Sequence, residues 1–302
     1  MGDIVHAMPA AAALRDCSAA VSWLIEPRWK PLLEGTDLAG ELLLLDRGST
    51  DRLVESLKIL RSRDFEVAVD LQGLLKSAIP AWLSRSTRRF GYDTPCLREK
   101  AAALFYTDRI RVRSSHVVDQ HLELARAVGA GRGTPAFSLP PGTPEGVLPE
   151  GPFVLANPLA GWKAKQWPLE RYVELGRLLR QEMDLPLVLN ASPESATSLG
   201  DFHPVHVSGI SGLIDATRRA HAVVGVDSGP LHLAAALNVP GVAIYGPTDP
   251  ARNGPYGHTI SVLRSPRAET SYKRRDEIET CMSDITARQV LEALQSLGSL
   301  PN

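Results

Sequence analysis

Short apolar runs alternate with amphipathic stretches along the whole chain. Segments 20–26 (AVSWLIE), 41–46 (ELLLLD) and 66–71 (EVAVDL) in the first half, and 153–157 (FVLAN), 186–190 (PLVLN), 222–227 (AVVGVD) and 242–246 (VAIYG) in the second, are bounded by charged or turn residues. Runs of this kind predict strands, the second set buried on both faces. Between them, Leu53, Leu57 and Leu60 recur at helical spacing and predict a helix over 51–63 with Thr50 as its cap. Val118, Leu122, Leu124 and Ala125 predict a second helix over 116–128, ended by Gly129. Further helices are predicted over 169–181, 212–220 and 231–237, and a last one from Thr286, whose spacing to Gln289 is that of a capping box. This alternation predicts parallel sheets covered by helices. The proline- and glycine-rich segment 129–151 interrupts it, so two open α/β domains are expected.

Composition narrows the class. Hydrophobic residues make up 44% and charged residues 22% of the 302, which excludes a disordered or fibrous chain. Thirty-three basic against 34 acidic residues leave no general excess for nucleic acid. Cys17, Cys96 and Cys281 are too few and too scattered for a disulfide framework, and a reducing compartment is expected. No apolar run reaches the length of a membrane span, and the first residues do not read as a secretory signal. A cytoplasmic protein is therefore expected. Charge is uneven within this balance. Over 85–113, eight basic residues (Arg85, Arg88, Arg89, Arg98, Lys100, Arg109, Arg111, Arg113) face three acidic ones (Asp93, Glu99, Asp108). Such a stretch is either a solvated face or the footprint of an anionic partner. Trp82, Leu83, Phe90, Leu104 and Phe105 lie in or beside it, most as core and some as candidates for contact with a bilayer surface.

Four segments combine polar groups with glycine or proline at predicted strand ends, where parallel sheets place ligands. In GVDSGPLHLAAAL (225–237), a buried strand delivers Asp227, then Ser228, Gly229 and Pro230 turn into a helix carrying His232. Backbone amides at 228–230 would face a phosphate there, or Asp227 and Ser228 would only cap the helix. In AGWKAKQWPLERY (160–172), Lys163 and Lys165 could meet a diphosphate or be solvated surface lysines. YGPTDPARNGPYG (245–257) alone reads as an irregular loop. In GDIVHAMPAAAALR (2–15), Asp3 precedes a helix whose apolar face is marked by Ile4, Met8, Ala11 and Leu14; Asp3 is either an N-cap or a base in a cleft. His203 and His206 are interrupted by Pro204 and read as a surface loop rather than a metal pair.

These segments, in this order and with DLQGLLKSA (70–78), resemble the glycosyltransferase family of bacterial heptosyltransferases, family 9, over nearly the whole chain. VDSGPLHLAAALNVPGVAIYGPTDPARNGPYG (226–257) carries most of the resemblance. Segments 23–33, 97–110 and 116–130 look most like heptosyltransferases of the first type in lipopolysaccharide synthesis. The resemblance implies a GT-B fold of two Rossmann-like domains facing across a cleft, with an acceptor-binding domain over 1–140 and an ADP-heptose-binding domain over 150–302. The C-terminal helix, about 286–297, would pack back on the first domain.

It implies an inverting transfer of heptose from ADP-heptose to the Kdo region of a lipid A acceptor, on the cytoplasmic face of the inner membrane. By motif match, Asp3 would be the general base and Lys165 would neutralise the departing diphosphate, with Lys163, Asp227, Ser228, Gly229, Pro230 and His232 on the donor. Glu194, in SPES, falls where the family holds the ribose hydroxyls. Lys76 and Arg98 are candidates for the acceptor. No cofactor is implied, and no metal, because the sequence holds no Asp-x-Asp pair. Family members carry about ten residues of buried strand ahead of the Gly-Asp pair. That first strand is missing here, so an upstream start or a weakened enzyme is expected. Competing readings are a member using another sugar nucleotide or acceptor, a non-catalytic sugar-nucleotide or glycan binder, and a nucleotide-sugar epimerase on the same fold.

Overall fold

The computed structural model describes residues 1–17, 20–199, 202, 204–271 and 273–297. The chain forms two compact units, His6–Pro140 and Met1–Val5 with Pro141–Asn302. The first five residues thus group with the C-terminal half rather than with the 1–140 segment they open.

The His6–Pro140 unit holds most of α1 (Gly2–Arg15), then β1 (Ser22–Ile25), β2 (Glu41–Leu44), α2 (Thr50–Arg61), β3 (Val67–Val69), α3 (Leu75–Leu83), β4 (Arg88–Tyr92), β5 (Asp108–Ile110) and α4 (Val117–Val128). All pairings are parallel, but the five strands do not make one sheet. β1 pairs with β2, while β3, β4 and β5 form a separate sheet in that order. Phe90, Tyr92, Leu97, Tyr106 and Leu124 pack one core of this unit. Helix α1 is buried on nearly all sides between Val5 and Ala12, whereas Ile4 and Leu14 of its expected face are only half-buried. The cap of α2 is Ser49, whose hydroxyl accepts from Arg52 N at 3.3 Å; Thr50 is already helical. One residue of displacement separates two equally good capping side chains, and periodicity does not resolve it.

The second unit contains β6 (Val154–Asn157), α5 (Leu169–Glu182), β7 (Leu187–Ala191), β8 (Val205–Val207), α6 (Ile210–Arg219), β9 (Ala222–Val226), α7 (Gly229–Ala236), β10 (Gly241–Tyr245), α8 (Pro250–Asn253), β11 (Ile260–Arg264), α9 (Thr280–Ser283) and α10 (Ala287–Leu297). Its six strands form one parallel sheet in the order β11-β10-β9-β6-β7-β8. Every residue of β6, β7, β9 and β10 is buried, which is why these strands read as continuous apolar runs. The order reverses direction at β6 and β9, where Asn157 lies opposite Gly225. In open sheets of this topology, ligands bind beyond the strand ends at that reversal.

The second half of segment 129–151 is not a free linker. Gly142 and Gly146 take positive φ, and an added Cβ would lie 2.5 Å from Asp215 N and 2.8 Å from Val207 O. The Glu145 carboxylate accepts from Gly209 N at 2.7 Å, so this stretch is docked on β8 and α6. His206 is not in a surface loop. It lies fully buried on β8, with Nδ1 3.0 Å from Asn190 Oδ1 and Nε2 2.9 Å from Glu145 O. His203 lies outside the described residues. Helix α10 packs within its own unit: Val290, Leu291 and Leu294 join the core of the six-stranded sheet, and Arg288 pairs with Glu182 of α5 at 2.7 Å. Its apolar stripe is satisfied there. The Thr286–Gln289 capping box is formed, with Thr286 N donating to Gln289 Oε1 at 2.9 Å and Gln289 N to Thr286 Oγ1 at 3.2 Å.

Candidate active site

Strand β9 ends at Val226 and delivers Asp227 into a buried position at the reversal point. Lys165, from the turn Lys163–Lys165 that follows β6, places Nζ 2.5 Å from Asp227 Oδ2. His232, in the first turns of α7, places Nε2 3.4 Å from Asp227 Oδ1. Burial alone would push the Asp227 carboxyl up. The His232 hydrogen bond and the Lys165 charge outweigh it and hold the group well below the usual carboxylate range. Three side chains separated by 62 and 5 residues in sequence are thus joined as cation, anion and imidazole at one strand end.

The start of α7 carries polar groups without a protein partner among the described residues. Ser228 stands at the N-cap in an extended conformation but makes no capping bond, and its Oγ is buried without a partner. The amide inventory is smaller than 228–230 suggests. Pro230 has no N–H, and the N–H groups of Leu231 and His232 turn back to Ser228 O. The Ser228 and Gly229 amides are those available to an anion, at the positive end of the helix dipole.

The start of α1 approaches this same helix end, within one unit. An added Cβ on Gly2 would lie 3.0 Å from His232 Cδ2, and one on Gly229 would lie 2.5 Å from Met1 Cβ. The glycine of the Gly-Asp pair at the front of the chain has a physical reason: a side chain at position 2 would press on the His232 ring, so glycine suits this close approach of the start of α1. Asp3 follows in the first turn of α1, exposed. It is inside the helix rather than its N-cap.

The remaining positions spread out from this centre. Glu194, beyond β7, is exposed, and a hydrogen bond from the Ser192 hydroxyl keeps its carboxyl below the usual range. Lys163 is exposed and has no ion pair among the described residues. Lys76 and Arg98 belong to the other unit, and both are exposed. Lys76 is the second residue of α3, whose start is organised by buried Asp70. Its carboxylate accepts from Gln72 N, Gly73 N, Ser77 Oγ and Tyr106 OH at 2.7–3.1 Å. The DLQGLLKSA motif is therefore a turn wound on one carboxylate, with Gly73 at φ +68 where Leu97 leaves no room for a side chain. Arg47 donates to Lys76 O at 2.7 Å and adds a cation there. The basic stretch 85–113 is partly spent on structure: Arg88 pairs with Asp108 at 2.6 Å, and Arg89 donates to the carbonyls of Phe105 and Ser86.

Four residues of the site were not singled out by sequence. Asn157, at the end of β6, is buried with both amide atoms unpartnered, and Thr248, beyond β10, is buried with its hydroxyl unpartnered. Polar groups buried in this state are satisfied by a ligand or water. The Trp162 ring carries Lys165 Nζ 4.4 Å from its centroid and Arg274 Cζ 5.7 Å from it. Arg274 arrives on a segment tied back to the β10 end by Ser271 N donating to Pro247 O at 2.7 Å, and by Arg264 bridging Gly246 O and Thr270 Oγ1. The asparagine closing an otherwise apolar strand was a usable signal; the Arg274 contact, 112 residues from Trp162, was not. Among the described residues, no group of three His, Cys, Asp or Glu side chains is placed to hold a metal ion.

The chain is similar to known proteins over nearly its whole length. The chain is 27% identical to lipopolysaccharide heptosyltransferase 1 of Escherichia coli, over 98% of this chain and 97% of that one. It is also 27% identical to the enzyme of the same name in Pseudomonas aeruginosa, over 86% and 79%. The solved structure of E. coli heptosyltransferase WaaC with ADP superposes with a TM-score of 0.77 at 24% identity, covering 98% of this chain and 96% of that one. The likeness fixes the fold as GT-B. The sequence profile of glycosyltransferase family 9 (heptosyltransferase) matches residues 54–283, and the chain belongs to that family.

Proposed function

We propose that the protein is an inverting glycosyltransferase that moves a heptose from ADP-heptose to the Kdo region of a lipopolysaccharide inner-core acceptor. The observation that carries this reading is the Lys165–Asp227–His232 cluster, set beside the start of α7 with the glycine-permitted approach of Gly2, the residue before Asp3. The ADP diphosphate sits on the Ser228 and Gly229 amides, with Lys165 and Arg274 around Trp162 as its cations and Lys163 at the margin. Pro230 fixes the turn, and Glu194 accepts from the ribose hydroxyls. Asn157 and Thr248 gain partners from the bound donor or its waters.

In the transfer, the acceptor hydroxyl oxygen attacks the anomeric carbon as the bond from that carbon to the β-phosphate oxygen breaks. Asp3 takes the hydroxyl proton, and ADP leaves with the electron pair. Lys165 offsets the charge that grows on the leaving oxygen, which needs no metal and no covalent intermediate. Asp227 holds Lys165 in place before the donor arrives. The 6–140 unit binds the acceptor, with Lys76 and Arg98 meeting Kdo carboxylates or lipid A phosphates. The protein works in the cytoplasm, at the inner face of the membrane where such acceptors are anchored.

The test is to incubate the protein with ADP-heptose, with and without a Kdo-bearing acceptor, and to follow ADP and the anomeric configuration of the product. Acceptor-dependent ADP release with inverted configuration supports the reading. No release, or isomerised donor without acceptor, contradicts it.

A further inference from the structure

Away from the donor site, the 6–140 unit has a surface where exposed apolar and cationic side chains stand together. Helix α3 carries Lys76, Ile79 and Trp82 at successive steps of three residues, all exposed and all on one side of the helix. The short 3-10 segment Lys100–Phe105 packs against α3. Its Phe105 ring meets Trp82 edge-on at 6.2 Å, which braces the indole while leaving it 51% exposed. Beside it Leu104 is 77% exposed and Ile79 40%. Cations frame these side chains: Lys100 opens the 3-10 segment and Arg85 lies one turn beyond Trp82, both exposed. The nearby Glu99 carboxylate is occupied, accepting from Leu75 N at the start of α3 at 2.7 Å.

A water-facing surface gains nothing from an exposed tryptophan, isoleucine and leucine side by side. Three such residues are too few for the roughly 800 Å² that each partner buries in a stable protein interface. They match shallow insertion at a bilayer surface, where tryptophan favours the headgroup level and each lysine or arginine is drawn to anionic lipid. We propose that the exposed face of α3 and the adjoining 100–105 segment form the surface by which this protein rests on an anionic lipid bilayer. Ile79, Trp82 and Leu104 enter the headgroup region, and Lys100 and Arg85 face lipid phosphates. The proposal deepens the reading of a lipid-anchored acceptor but is measured without any substrate.

The experiment is flotation of the full chain with vesicles of phosphatidylcholine plus phosphatidylglycerol, and with phosphatidylcholine alone. The protein is expected to float with the anionic vesicles, to be released by high salt, and to stay behind with the neutral ones. Leu104→Glu, a change at a site too exposed to disturb folding, is expected to lower partitioning about tenfold or more, and Arg85→Glu with Lys100→Glu to do the same. A wild-type protein that never floats, or variants that float like it, would overturn the proposal. Turnover supplies a second readout. Leu104→Glu is expected to act normally on a deacylated, water-soluble acceptor and poorly on the same acceptor in vesicles; equal losses on both would place Leu104 in the acceptor site and overturn the proposal. If the wild type turns over neither acceptor, the proposed reaction fails while flotation still decides the membrane surface.

Discussion

The two halves of the chain are built from the same alternation of strand and helix, yet they solve different problems. The second unit closes six parallel strands into one sheet, and the ends of β6, β9 and β10 bring Asn157, Asp227 and Thr248 to one buried edge. The first unit leaves its five strands as separate sheets of two and three. Its cations proposed to meet acceptor or lipid, Lys76, Arg98 and Lys100, lie exposed on turns and helix starts rather than at a strand end. A continuous sheet preorganises charge against a small, defined ligand; a divided one with exposed cations suits a large and variable one.

That contrast can be broken experimentally, beginning with the largest effect. Asp227→Ala leaves the partly buried Lys165 without its carboxylate and is expected to cost about 3 kcal/mol in denaturant unfolding. The acid limb carries the same signature. Because the folded carboxyl titrates below its unfolded value near 3.9, its stabilisation is full above that value and is lost as pH falls through it toward the folded one. Asp227→Asn is expected to flatten that part of the stability profile. Next, Leu189→Ala in fully buried β7 is expected to cost about 2–5 kcal/mol, whereas Val69→Ala in half-buried β3 costs under about 1.5 kcal/mol. Equal losses would mean that the divided sheets are as tightly packed as the continuous one. Arg274→Ala is expected to weaken ADP binding by about tenfold in calorimetry while unfolding is unchanged, and Arg275→Ala, whose side chain is paired with Glu279, to leave affinity alone. The smallest effect is Ser49→Ala, about 1 kcal/mol from the lost α2 cap.

Legibility from sequence follows the same division. β6, β7, β9 and β10 were readable because burial on both faces makes them uniformly apolar. β4, β5, β8 and β11 were not: RRFGY opens on two arginines, DRI and VHV are three residues long, and ISVLR ends in a charge. Pairing partners hold them, not their own pattern. The helix start at Ser228 was legible because strand, turn and helix follow within a few residues. The closeness of Gly2 to His232 and of Arg274 to Trp162 was not, since each joins segments more than a hundred residues apart. The partner of α10 was not legible for a similar reason: an apolar stripe predicts burial but not what it is buried against.

The central claim is that Asp3 acts on a donor held by a separate group of residues. Single-turnover ADP release by the Asp3→Asn variant, measured beside its ADP affinity, tests it most directly. The account predicts release slowed by about 10²–10⁴ with ADP affinity unchanged. Release at the wild-type rate would contradict it.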